Sequence, residues 1–283
     1  MEIIPTLLIV GCGKLGMKIG MALKDQCTVI GVKRNPPKTF TEFQIIGHDI
    51  FDGSFELLLK KINPTYLLYA VAADDQLNES YRKAYVDGVD ICLRSVSRHC
   101  PLLKHVFFVS STRVYGQRNQ QVMSESTLPE PHDFGGSALL EGETLVNKSS
   151  VPSTVLRLSG IYGDQRTYLL RMAEDETRWP ENNRWTNRIH EDDAVGFISF
   201  LIHQLISGLP VEPLYLVTDN SSALLFDVLN HIREAQGLDM IKRKSSSPFE
   251  GKKLQSKIIS KTDFIYRYPD YKIGYSSIIA YFK

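Results

Sequence analysis

A glycine-rich turn, G-C-G-K-L-G at residues 11–16, stands directly behind an apolar run and opens a stretch with helical periodicity. Few folds accommodate that arrangement. A strand that breaks at glycine and restarts as a helix gathers unpaired N–H groups and the positive end of the helix dipole at one point, where an anion binds. Gly11 would permit the tight turn, Gly13 would let a pyrophosphate approach the backbone, and Gly16 would allow close packing of helix on strand, with Cys12, Lys14 and Leu15 completing the loop. A glycine turn without a ligand is the alternative.

From residue 6 to about residue 159 short apolar runs alternate with amphipathic stretches, the pattern of successive βαβ units. Strands are predicted at 6–10, 28–32, 44–46, 66–70, 105–110 and 154–158, and helices at 15–24, 54–61, 78–98 and 137–147. The longest helix carries Tyr85, Val89, Cys92 and Val96 at core-facing spacing. Beyond Gly160 the alternation breaks, with a helix expected at 193–206, a strand at 214–217 and a helix at 223–236. The Ser- and Lys-rich stretch 242–261 reads as a solvated loop, or as a flap over a pocket. The fold class is therefore α/β: a Rossmann doubly wound parallel sheet over residues 1–160, with a smaller C-terminal substrate-binding region, 161–283, interleaved with it.

About 20 residues past the glycines, a chain specific for NAD(H) places an acid that accepts from the ribose hydroxyls. Here that position is Lys33 or Arg34. A cation cannot accept those hydrogen bonds, but arginine can pair with a 2′-phosphate through its fork, so NADP(H) is expected in preference to NAD(H). Asp49 is placed to accept from the adenine amino group, or else to cap the next helix, and Ala70, Ala72 and Ala73 are small enough to admit the cofactor. A net charge of +1 offers no global field for a polyanion, which argues against nucleic acid and for a small-molecule partner. The four cysteines lack CxxC spacing, so neither a disulfide nor a metal site is expected and the chain reads as cytoplasmic. Glu2 takes the place of a basic leader segment, and no apolar run is long enough for a membrane span.

Several motifs in order, G-C-G-K-L-G, F-V-S-S-T-R-V-Y-G (108–116), R-L-S-G-I-Y-G-D (157–164), N-R-I-H-E-D-D (187–193) and Y-L-V-T-D (215–219), resemble the extended short-chain dehydrogenase/reductase superfamily, in its NAD-dependent epimerase/dehydratase group. The resemblance implies a catalytic Ser or Thr after the fifth strand, matched by Ser111, and a Tyr-x-x-x-Lys pair on the next helix. At those two positions stand Phe134 and Ala138. Phenylalanine has no proton to give and alanine no charge to tune one, as in the atypical branch of the superfamily. Asp87 stands where catalytic members carry Asn.

A replacement proton carrier is then expected among Ser111, Tyr115, His190 and Tyr162, with Tyr115 preferred because its turn lies at the carboxyl end of the sheet. Packing is the other role open to Tyr115, and structural hydrogen bonding the other role open to His190. Arg113, Arg157, Arg166 and Arg188 suit a substrate phosphate or carboxylate, with Arg157 and Arg188 inside the retained motifs and Tyr162 beside them; pairing with nearby acids is the alternative for each. The expected function is an oxidoreductase or epimerase on a small anionic or nucleotide-sugar-like substrate; the alternative is a non-catalytic NADP(H)-binding sensor. The resemblance also implies a homodimer through the helix at 78–98 and the helix from Ser137.

Overall fold

The computed structural model describes residues 4–39, 41–117, 121–243 and 250–282. Residues 2 and 3 of the leader argument, and 244–249 of the Ser- and Lys-rich stretch, lie outside them.

Seven strands form the central sheet: β1 (Thr6–Val10), β2 (Thr28–Lys33), β3 (Gln44–Gly47), β4 (Tyr66–Tyr69), β5 (His105–Ser111), β6 (Ser153–Leu158) and β7 (Leu214–Val217). Their order is β7-β6-β5-β4-β1-β2-β3. The pairings of β1 with β2 and β4, of β2 with β3 and of β4 with β5 are parallel. The order reverses between β1 and β4, the point at which an open α/β sheet leaves a crevice outside its strand ends. Leu7 to Val10 and Leu67 to Leu68 have no solvent exposure, as strands covered on both faces require.

The helices are α1 (Lys14–Leu23), α2 (Phe55–Ile62), α3 (Asn78–Arg82), α4 (Gly88–His99), α5 (Phe134–Asn147), α6 (Tyr168–Glu174), α7 (Glu191–Ile206), α8 (Leu225–Gln236) and α9 (Tyr271–Phe282). The single helix expected at 78–98 is interrupted by a π turn, Lys83–Asp87. Its cause is local. The Tyr69 hydroxyl donates to the Ala84 carbonyl at 2.6 Å, and the Gly88 N–H, which would have bonded that carbonyl in an α-helix, reaches Lys83 instead. The apolar stripe survives: Val89, Cys92 and Val96 sit in one core cluster with Leu8, Val10, Leu67 and Phe108.

The chain divides into two compact units. The first comprises Met1–Val114, Pro131–Arg157 and Val195–Tyr215; the second comprises Tyr115–Glu130, Leu158–Ala194 and Leu216–Lys283. In the second unit α9, which the sequence pattern did not reveal, shares a core cluster with α8 and Trp179, and Tyr275 stacks on Tyr162 with ring centroids 4.6 Å apart. Part of the stretch expected as loop is ordered here. Glu250–Gly251 pairs with Arg184–Thr186, and Lys253–Leu254 with Val122–Met123. Asn187 explains this, because its amide donates to the Lys252 carbonyl and accepts from the Leu254 N–H, so a side chain supplies bonds that composition cannot report.

Beneath the first unit's sheet lies a buried ion pair. Glu143 on α5 accepts from Arg157 Nη2 at 2.6 Å and Nε at 3.0 Å, and from the Ser110 hydroxyl at 2.6 Å. Removing one partner strands a charge in the core. Glu143→Ala is expected to lower unfolding free energy by about 3–5 kcal/mol, measured by urea denaturation, whereas Arg94→Ala in an exposed pair changes it by less than about 1 kcal/mol.

Candidate functional site: a dinucleotide cleft and an arginine-lined cleft

At the carboxyl ends of β1, β2 and β4 the first unit opens a cavity of about 370 Å³. Gly11 has φ +84°, and a Cβ there would lie 2.4 Å from the Val71 amide nitrogen, so only glycine lets the two strand ends approach. Gly13 is the N-cap of α1, and a Cβ on it would meet nothing nearer than the Gly11 carbonyl at 3.9 Å. The space above the loop is therefore open. No side chain caps α1, and its ladder begins with Met17 N–H to Gly13, so the N–H groups of Lys14, Leu15 and Gly16 precede it. These features fit a dinucleotide pyrophosphate. Cys12 is fully buried, and burial pushes its thiol up to about 11, which leaves it a packing residue under the loop.

Lys33, Arg34, Asp49, Ala70, Ala72 and Ala73 all line this cavity. Asp49 does not cap α2, whose N-cap is Ser54; its Oδ1 accepts instead from the Phe51 N–H at 3.0 Å. Asp74 and Lys83 line the cavity too and were missed in the sequence, where nothing marks the last residues of A-V-A-A-D-D as part of a cleft.

The positions that would hold a Tyr-Lys pair are occupied in a different way. Phe134 opens α5 and meets the Tyr81 ring edge-on, with centroids 5.6 Å apart. Ala138 is 3% exposed and packs with Tyr81 and Val86. Arg113 covers this end of α5: its Nη1 donates to the Tyr81 hydroxyl at 2.7 Å and to Gln76 at 3.1 Å, and its Nε to Asp133 at 3.0 Å. A Cβ on Gly135 would lie 2.5 Å from the Arg113 guanidinium carbon, so glycine here makes room for the arginine. Ser111 is partly exposed, and its hydroxyl accepts from the Arg113 N–H at 3.2 Å.

The second unit has its own cleft, of about 520 Å³, lined by Tyr162, Arg166, Arg171, Arg184 and Arg188 with no acidic side chain among its lining residues. Arg188 is 4% exposed; its Nη2 donates to Thr186, its guanidinium carbon lies 5.2 Å from the Tyr271 ring centre, and its Nη1 has no hydrogen-bond partner among the described residues. Arg157, by contrast, belongs to the buried pair with Glu143. Tyr115 is 1% exposed and its hydroxyl donates to the Ser124 carbonyl at 3.0 Å, the geometry of packing rather than proton transfer. His190 is buried between the Tyr268 and Tyr162 rings, with Nδ1 accepting from the Asp192 N–H. Burial raises the Tyr162 phenol well above its ordinary range. Among the described residues no group of three His, Cys, Asp or Glu side chains is placed to hold a metal, and no helix is long and apolar enough to cross a membrane.

A solved structure from Methylobacillus flagellatus, named for the NAD-dependent epimerase/dehydratase family, is 35% identical to this chain, with 99% of each chain covered and a TM-score of 0.87. The chain belongs to that family. No protein-family model and no curated protein matches it. More distant structures share the fold: MoeE5 in complex with UDP-glucuronic acid and NAD (18% identity, 98% of each chain, TM-score 0.78), and a UDP-glucuronic acid 4-epimerase from Bacillus cereus in complex with NAD (18%, covering 98% of this chain and 100% of that one, TM-score 0.71).

In this family member the second unit also buries the Asp219 carboxyl. Burial raises the Asp219 carboxyl from 3.8 to about 7, opposed by the Ser221 N–H and by the Arg188 charge. A folded-state value above the unfolded one means that the folded chain binds the proton more tightly. Asp219 therefore contributes stability below about pH 4 that is lost as pH rises through about 7. Between pH 4 and pH 8 the parent is expected to lose on the order of 3 kcal/mol of unfolding free energy relative to Asp219→Asn, read from urea melts at each pH. Parallel profiles would refute the assignment.

Proposed function

We propose that the chain is an NADP(H)-dependent oxidoreductase- or epimerase-like enzyme of the atypical short-chain dehydrogenase/reductase type, acting on an anionic, nucleotide-sugar-like substrate without a Tyr-Lys pair. The observation that carries this reading is the second cleft: four arginines, of which Arg166 is paired with Glu191, and one buried guanidinium nitrogen of Arg188 without a hydrogen-bond partner among the described residues. A phosphate or carboxylate would complete the hydrogen bonding that Arg188 lacks. The sugar nucleotides named with MoeE5 and the Bacillus cereus epimerase have this chemistry, which supports the substrate class.

In the first cleft the α1 N-terminus would hold the pyrophosphate, Asp49 would accept from the adenine amino group, and Lys33 and Arg34 would meet the 2′-phosphate. When bound, nicotinamide supplies a hydride donor or acceptor. Of the four residues expected to move a proton, Ser111 keeps partial exposure while Tyr115, Tyr162 and His190 are buried, so Ser111 is the hydroxyl assigned to the reacting group. Four buried free thiols suit a cytoplasmic protein, and a homodimer is proposed through α4 and α5. The closed packing around Ala138 favours a second reading, a sensor that binds cofactor without turnover.

Parallel calorimetric titration with NADPH and NADH tests the cofactor. NADPH is expected to bind more tightly, and Arg34→Ala to remove that preference; an NADH preference would overturn it. UDP is the probe for the second cleft. Arg188→Met is expected to weaken UDP binding by about tenfold or more, since charge-assisted bonds to a buried guanidinium contribute roughly 1.5–3 kcal/mol, and unchanged binding would refute the substrate class. Turnover across a panel of sugar nucleotides and small ketones, read as epimer formation with the former and as NADPH oxidation with the latter and lost in Ser111→Ala, separates enzyme from sensor, for which no substrate gives turnover.

A further inference from the structure

The loop after β2 and the loop after β4 are joined across the first cleft by one ion pair. Arg34 Nη1 donates to Asp74 Oδ2 at 2.9 Å, and Nη2 donates to Oδ1, so the whole fork of the guanidinium faces one carboxylate. Both residues line the cleft and both are about half exposed, with side-chain accessibilities of 52% and 58%. The Lys83 charge also favours the ionised Asp74 carboxylate, and Asp49 lies within electrostatic range of Arg34. The bidentate face that a ribose 2′-phosphate requires is therefore already matched, by an acid of similar geometry and the same sign.

We propose that Asp74 sets how strongly this chain prefers the 2′-phosphorylated cofactor, by holding Arg34 as an internal substitute for that phosphate. The proposal rests on the NADP(H) reading above. To bind NADPH, the phosphate must displace the Asp74 carboxylate from the fork, and the displaced carboxylate then lies near a second negative group. A cofactor without the phosphate brings no competing anion and leaves the pair in place. Asp74 thus opposes NADPH alone. A half-exposed pair is weak enough to be broken by a dianion, which makes it a means of tuning preference rather than a block.

The test uses Asp74→Asn, a loop substitution outside every helix and strand, with four probes: NADPH, NADH, adenosine 2′,5′-bisphosphate and 5′-AMP. In Asp74→Asn, NADPH and the 2′,5′-bisphosphate are expected to bind about three- to tenfold more tightly, with NADH and 5′-AMP changed by less than about twofold. In an Arg34→Ala background Asp74→Asn is expected to have no effect on NADPH. Unchanged or weaker NADPH binding in Asp74→Asn would overturn the proposal, as would equal tightening of NADPH and NADH, which marks a steric gate. Persistence of the effect without Arg34 would overturn it too. A parent chain that binds only NADH would defeat the NADP(H) reading separately, and 2′,5′-bisphosphate affinity gained in Asp74→Asn would still uphold the competition.

Discussion

The backbone of Gly11 lies so close to the end of β4 that a single methyl group would collide with the Val71 amide. That approach fixes where β1 ends, how α1 leaves the sheet, and which residues after β2 and β4 face one another. The charged residues of the cleft owe their positions to it. Arg34 and Asp74, 40 residues apart in sequence, meet because the strands that carry them flank β1 in the sheet. The meeting of these two charges thus depends on the absence of a side chain at one glycine.

A different economy governs the start of α5. Phe134, at the first of the two positions where the sequence resemblance expects a Tyr-Lys pair, belongs to an aromatic and cationic cluster with Tyr81 and Arg113. Arg113 is held by three acceptors and two rings, and Ala138 is closed over by Tyr81 and Val86. Both positions are therefore packed into their surroundings. Ser111, from the motif that follows β5, keeps a partly exposed hydroxyl beside this cluster.

The glycine turn, the parallel sheet and the cation after β2 were legible because each follows from backbone sterics or periodicity over a few residues. Arg34 and Asp49 could be placed in the cleft for the same reason. What was not legible depends on contacts between distant residues. Arg157 lies inside a retained motif, yet Glu143 and the interior of the sheet decide its role; Arg188, also in such a motif, remains in a cleft. Tyr115 follows β5 but is tied to Ser124, a bond no spacing announces. Helix α9 escaped notice although Asp270 caps its start, accepting from the Lys272 and Ile273 N–H groups, because its buried residues Tyr271, Tyr275, Ile278 and Ile279 become a core face only through packing in the second unit.

The π turn at Lys83–Asp87 has a geometrical consequence. An α-helix advances about 100° per residue, so one extra residue within a turn rotates everything before it by that angle relative to everything after it. Downstream, Val89, Cys92 and Val96 must point into the core; upstream, Ser80 and Lys83 must point into the cleft. A helix of uniform period would have to compromise one azimuth for the other. The additional residue, accommodated through the Tyr69 hydroxyl, decouples the two faces, so the cleft-facing half can change in evolution without the buried half losing phase with the sheet.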